Sequence, residues 1–163
     1  MRQSKNVLTD KEKELVSLLM QDCQSTGDIQ SKLKRLFAGT IEQMLEAEMD
    51  VHLGYEKHDV VGNNSGNSRN GYNHKTIISD YGESEIAIPR DRNGEFEPRI
   101  LEKRQTRTDE IEQKIMAMYA KGMSQRDIED NLREIYGAEV SQTLISKITD
   151  KILPEVNECR IDH

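Results

Sequence analysis

TDEIEQKIMAMYAKGMSQRDIEDNLREIYGAEVSQTLISKITDKI, residues 108–152, is the stretch on which the fold turns. Ile111, Ile115, Met118 and Tyr119 recur at i, i+4, i+7 and i+8, one stripe of a 3.6-residue period. Thr108 stands where an N-cap belongs, and Asp109 and Glu110 suit the positive end of a helix dipole. Lys121-Gly122 ends this first helix, because glycine takes a left-handed angle at no steric cost. The grammar repeats with Ser124 as cap, Asp127 at the capping-box position and Met123 stapled to Ile128. Ile128, Leu132, Ile135 and Tyr136 form the second stripe, and Gly137 closes it. Ser141 caps a third helix, Val140 staples onto Ile145, and Leu144, Ile145, Ile148 and Ile152 face inward. Pro154 ends the run.

Three short helices with two tight turns are the pattern of a helix-turn-helix reader of DNA. The outward face of the third helix is Gln142, Thr143, Ser146, Lys147, Asp150 and Lys151. Its eleven residues, 142–152, span about 16 Å, enough to lie in a major groove. Glutamine pairs bidentately with adenine, and Ser and Thr bond base edges or phosphate. Recognition helices read with their N-terminal residues, which here are the short polar ones. The candidate base contacts are therefore Gln142, Thr143, Ser146 and Lys147. Ser141, Arg126 and Lys151 are the candidate phosphate contacts. The rival reading is an ordinary helical scaffold with a solvated polar face.

Charge opposes tight non-specific binding. Residues 108–163 hold seven basic and twelve acidic side chains, a net of −5, and the whole chain carries −7. That field is screened within about 8–10 Å at ordinary salt. Residues 142–152 themselves carry two lysines and one aspartate. The expectation is modest, site-directed binding.

At 163 residues, with 34% hydrophobic and 33% charged side chains and no tryptophan, the chain suits small helical units better than one large core. No apolar run reaches the roughly 18 residues of a membrane span, and the polar start, residues 1–10, does not read as a secretory leader. Cys23 and Cys159 lie far apart, which suits a reducing, cytoplasmic setting. His52, His58 and His74 lack the closely spaced partners of a zinc site and read as surface histidines.

Working toward the N-terminus, Thr9–Asp22 reads as a helix, broken by the run Ser25-Thr26-Gly27-Asp28. A long helix follows over Ile29–Leu53, with Gly54 as its stop. Its stripe of Ile29, Leu33, Leu36, Phe37, Ile41, Met44, Leu45 and Met49 buries against the first helix or against a second copy of the chain. Glu46, Glu48 and Asp50 invite an acid/base or metal reading. Residues two apart on a helix do not face one another, however, so they read as a solvated face. Gly62–Asn73 is rich in Gly, Asn and Ser and reads as a loop, with Asn70-Gly71 a turn signal. Lys75–Ile88 then reads as a β-hairpin turning at Tyr81-Gly82, with Pro89 ending its second strand and Asn93-Gly94 a further tight turn. Arg99, Lys103, Arg104 and Arg107 form a basic connector suited to holding phosphates.

The fold class is α+β and predominantly helical: N-terminal helices, a central β-hairpin and a C-terminal trihelical helix-turn-helix unit. The expected divisions are 1–60, helical and suited to dimerisation; 61–107, loop, hairpin and basic connector; 108–158, the DNA-binding unit; and 159–163, a tail.

Several strings also occur together and in order. They are Glu46-Ala47-Glu48-Met49-Asp50-Val51-His52-Leu53-Gly54-Tyr55, then Arg69-Asn70-Gly71-Tyr72 with Lys75, then Gly82 in its hairpin. Pro89-Arg90-Asp91-Arg92, Gly94-Glu95-Phe96-Glu97-Pro98, Tyr119-Ala120-Lys121-Gly122-Met123-Ser124 and Val140-Ser141 follow. Over roughly residues 30–158 the chain resembles the N-terminal portion of the Mutator-type transposases of bacterial insertion sequences. The resemblance implies DNA transposition, with the N-terminal region binding double-stranded DNA at the terminal inverted repeats of the element. It also implies a downstream RNase H-like domain that joins strands with an Asp-Asp-Glu triad and two Mg²⁺ ions. Where the family carries tryptophan after Asn157-Glu158, this chain has Cys159 and then Arg160-Ile161-Asp162-His163. That departure reads as a frameshift or early stop. The expectation is a DNA-binding portion without catalytic residues or a cofactor of its own, inactive by itself as an enzyme; Asp162 is not taken for a catalytic residue. The alternatives are a regulatory chain that occupies the ends or pairs with full-length transposase, and an inert remnant of a decayed element.

Overall fold

The computed structural model describes residues 5–58, 66–137 and 139–151. It contains α1 (Asp10–Met20), α2 (Thr26–Leu53), β1 (Arg69–Ser79), β2 (Gly82–Asp91), α3 (Asp109–Ala120), α4 (Gln125–Tyr136) and α5 (Gln142–Asp150). The fold is α+β and mostly helical, with one antiparallel two-stranded sheet. Ile152, Pro154, the tail 159–163 and part of the Gly/Asn/Ser-rich loop, 62–65, lie outside the described residues.

The local signals account for the helix ends. Thr9 and Glu12 close a capping box on α1, and Ser25 and Asp28 close one on α2. Gly54 ends α2 at φ 82°, with its N–H donating to the Asp50 carbonyl 2.9 Å away. Ser124 and Ser141 accept hydrogen bonds from the Asp127 and Leu144 N–H groups, as N-caps should. Thr108 differs. It holds the N-cap position of α3 in extended geometry, but its hydroxyl makes no capping bond. Its backbone is engaged instead: the Thr108 N–H donates to the Ile78 carbonyl and the Ile78 N–H to the Thr106 carbonyl, both at 2.9 Å. A short parallel bridge thus ties the connector to β1.

The hairpin is longer than its apolar core predicts. β1 starts at Arg69, and Asn70-Gly71 lies within it rather than at a turn. The register shifts between Arg69 and Tyr72, where Gly71 takes φ 69°. That is a bulge, the other place where a chain uses a left-handed glycine. Pro89 does not end β2; it pairs with Tyr72 beside this bulge, a position where a missing N–H is tolerated.

Two cores lie on opposite sides of the hairpin. Ile41 and Leu45 of α2 pack with Ile77, Ile86 and Leu101, flanked by Phe37 and Ile88. Ile78 faces the other way, into Ile111, Ile115, Ile128, Leu132, Val140, Ile145 and Ile148 of the trihelical unit. The turn of the hairpin docks there as well. Lys114 donates to Asp80 at 2.7 Å and to the Tyr136 hydroxyl at 2.9 Å. Gly82, at φ 103°, sits so close to the end of α4 that a Cβ would lie 3.1 Å from the Tyr136 carbonyl oxygen.

The helix stripe divides. Phe37, Ile41 and Leu45 turn toward the hairpin and Met49 is buried, whereas Ile29, Leu36 and Met44 remain exposed. Glu46, Glu48 and Asp50 are not the solvated face that their spacing suggests. Arg69 donates to Glu46 at 2.9 Å and closely to Asp50. The Tyr72 hydroxyl also donates to Glu46, at 2.6 Å. Glu48 accepts the backbone N–H groups of Arg99 and Ile100, and Glu42 accepts that of Ala87. Glu46 and Asp50, one helical turn apart, share Arg69, whereas Glu48 points elsewhere, to the Arg99 and Ile100 backbone.

Candidate nucleic-acid interface

Helix α5 rests on a buried floor of Ile145, Ile148 and Thr149. Thr149 is a polar member of that floor, and its hydroxyl donates to the Ser146 carbonyl at 3.1 Å. The opposite side presents Ser141, Gln142, Thr143 and Lys147 to solvent, with Ser146 half-buried at the margin. No ion pair holds Lys147 among the described residues. Arg126, the second residue of α4, is likewise exposed and makes none.

Lys151 stands differently. Its ammonium donates to Glu112 at 2.9 Å, and Glu112 also meets Arg107 at 3.1 Å. The Lys151 hydrogen bond, helped by Arg107, holds the Glu112 carboxyl below the usual range against the opposing effect of burial. For Lys151 to reach a phosphate it must leave this partner.

The connector lies nearer to α5 than the sequence shows. Arg99, Arg104, Arg107 and Lys151 line one polar cleft of about 360 Å³, together with Glu102, Asp109 and Glu112. Four cations from two separated segments thus stand beside the C-terminal end of the exposed helix. Arg99 and Arg104 belong to this surface, and the basic run of the connector is the signal that points to them.

A second polar centre is structural. The Asp91 carboxylate, 5% exposed as a residue, accepts from His52 Nε2 at 3.1 Å, Asn67 Nδ2 at 2.8 Å and the Glu95 and Phe96 N–H groups. Burial alone raises such a carboxyl; the hydrogen bonds outweigh it and hold Asp91 far below its ordinary value. His52 is therefore not a bare surface histidine but a partner of this centre, with its ring 5.4 Å from the Phe96 ring and tilted to it by 54°. The Pro-Arg-Asp-Arg string is where sequence could have marked it.

The described residues do not suit a two-metal site. No three His, Cys, Asp or Glu side chains among them converge to hold a metal ion. The acids that cluster in sequence, Glu46, Glu48 and Asp50, are committed to Arg69, Tyr72 and backbone N–H groups. No helix among the described residues is long and apolar enough to cross a membrane.

Capped helices on a two-stranded hairpin, with one helix whose polar side is exposed beside a basic cleft, define the class as a small, mostly helical α+β unit. The sequence matches the family described as Transposase, Mutator family, over residues 8–161, and the chain belongs to that family. It is 40% identical over 117 residues to a probable transposase for an ISRM3-like insertion sequence element of Sinorhizobium fredii, covering 72% of this chain and 28% of that protein. It is 37% identical over 136 residues to the transposase for insertion sequence element IS905 of Lactococcus lactis, covering 83% and 34%. Against the transposase for IS256 in transposon Tn4001 of Staphylococcus aureus, identity is 26% over 125 residues, covering 77% and 32%. The chain thus spans about a third of the length of these relatives.

Proposed function

We propose that this chain is the DNA-end-binding portion of a Mutator-family transposase, and that α5 reads the terminal inverted repeats of the element. The exposed Gln142-Thr143 edge of α5, held by the Ser141 cap over a buried floor, carries the reading. Glutamine and threonine at the start of such a helix supply bidentate and methyl contacts to A·T pairs. Lys147 approaches the same groove. Arg126 and Ser141 flank it for phosphates, and the cleft of Arg99, Arg104, Arg107 and Lys151 extends the backbone contact. Strand transfer belongs, in this reading, to parts of the family's proteins beyond the third that this chain spans. The chain alone binds and does not cut, it pairs with another copy or with a longer relative, and its place of work is the cytoplasm, where the element's DNA lies.

The test is a fluorescence-anisotropy titration of the purified chain with a duplex carrying the terminal repeat and with a scrambled duplex, over a range of salt. The reading predicts at least tenfold tighter binding to the repeat, weakening as salt rises. Equal affinity for both duplexes, or strand cleavage by the chain with Mg²⁺, contradicts it.

A further inference from the structure

Ten of the thirteen exposed large apolar side chains among the described residues lie between Val7 and Val51, eight of them on α1 and α2, so the uncovered apolar surface is concentrated at this end of the chain. None of the described residues of α1 is buried, and its Leu18 is 59% exposed. An isolated helix of eleven residues is marginal in water below about 12–15 residues, so such a helix needs a packed face.

On α2 the exposed residues, with the half-buried Leu33, form their own stripe. Ile29, Leu33, Leu36, Thr40, Met44, Ala47 and Val51 follow one another at steps of three or four, a line distinct from the buried Ile41-Leu45-Met49 face. Met44 is 45% and Val51 84% exposed. At the N-terminal end of the stripe, Leu15, Leu18 and Leu19 of α1 open with Leu36 into an apolar groove of about 440 Å³.

The stripe is nearly a palindrome about Thr40. Laid against an antiparallel copy of itself, Leu36 meets Met44, Leu33 meets Ala47, and Ile29 meets Val51. Gly39 and Thr40, both small, stand at the crossing, and nothing lies within 4 Å of where a Gly39 Cβ would be. Charge favours the same direction. Lys32, Lys34 and Arg35 lie in the first part of α2, and Glu46, Glu48 and Asp50 in the last. An antiparallel copy brings the basic part of each helix beside the acidic part of the other. Glu46, Glu48 and Asp50 keep their partners within the chain, and the pairing adds a longer-range attraction.

We infer that α2 is a homodimerisation helix, packing antiparallel on α2 of a second copy about a two-fold axis at Thr40, with α1 of each copy flanking the seam. This rests on the pairing named under Proposed function and gives it a surface and an orientation; a two-fold interface of this kind uses the same patch on both subunits.

The test uses the whole chain with Cys23→Ser and Cys159→Ser. Light scattering after gel filtration at tens of micromolar should give twice the 18.7 kDa of one chain. Under mild oxidation Thr40→Cys should form a covalent dimer. Val51→Cys alone should not, whereas Ile29→Cys mixed with Val51→Cys should. Met44→Glu with Val51→Glu should weaken dimerisation at least tenfold while leaving the far-ultraviolet circular dichroism of the dilute chain unchanged. A monomer throughout overturns the inference and leaves pairing with a longer relative as the route named under Proposed function. A dimer in which Thr40→Cys does not link, or in which Val51→Cys links to itself, overturns this face or direction and leaves pairing by another route standing.

Discussion

Ile77 and Ile78 are neighbours in β1, yet they are buried in different cores. Ile77, 1% exposed, packs against α2, and Ile78, 7% exposed, packs into the trihelical unit. Alternation along a strand sends successive side chains to opposite faces. The hairpin is therefore the shared wall between α2 and the trihelical unit, and its backbone also holds the connector through Thr106 and Thr108.

This shared wall predicts coupled unfolding. Ile77→Ala and Ile78→Ala should each cost about 2–5 kcal/mol, the usual range for emptying a buried isoleucine site. Each should lower one common thermal transition followed by circular dichroism. Two separate transitions, with each substitution moving only one, would show that the cores are independent.

Asp91 predicts an acid dependence. Its folded carboxyl titrates far below the unfolded value of about 3.9, so its contribution to stability is complete above that value and is lost as pH falls through the folded one. Asp91→Asn turns an acceptor into a donor facing His52 and Asn67 and should cost on the order of 3 kcal/mol at pH 7. In urea titrations the gap between wild type and variant should narrow below about pH 4. A gap that stays constant from pH 7 to pH 2 would remove the carboxylate from this role.

Arg69 predicts a rescue. It joins Glu46 and Asp50, so Arg69→Ala leaves two carboxylates one helical turn apart without their cation. The loss should be about 1–3 kcal/mol. Adding Asp50→Asn should recover part of it, because the remaining repulsion is relieved. Strictly additive losses in that cycle would mean that the two carboxylates do not interact through Arg69.

The α5 face predicts two different failures in DNA binding. Gln142→Ala should lose about 1–3 kcal/mol on the repeat duplex and little on a scrambled one. Lys147→Glu should weaken both and make the salt dependence shallower by about one unit of slope. If Gln142→Ala weakens both duplexes equally, that side chain does not read sequence.

The parts of this fold that were readable in the sequence are those set by neighbours along the chain. Serine caps at 25, 124 and 141, left-handed glycines at 54, 122 and 137, and the inward Ile145 and Ile148 follow from spacing of a few residues. What spacing does not carry is the meeting of distant segments. Glu46 and Arg69, His52 and Asp91, and Arg107 and Glu112 are ordinary charged residues until the hairpin brings them together. Gly71 was misleading for a related reason: a left-handed glycine serves a turn or a bulge equally well, and only the register with β2 decides. On α5 the outward residues were legible from period alone, while the pairing of Lys151 with Glu112 and its nearness to Arg99 and Arg104 were not.

The most direct test of the recognition edge is proximity. With Cys23→Ser and Cys159→Ser in place, a photo-crosslinker is attached either at Gln142→Cys on α5 or at Glu134→Cys, an exposed site on α4, and each protein is irradiated with the repeat duplex. The account predicts strong crosslinking from position 142, at bases within the repeat, and little from position 134. Equal yields from both positions, or crosslinks from 142 spread evenly over scrambled DNA, would contradict it.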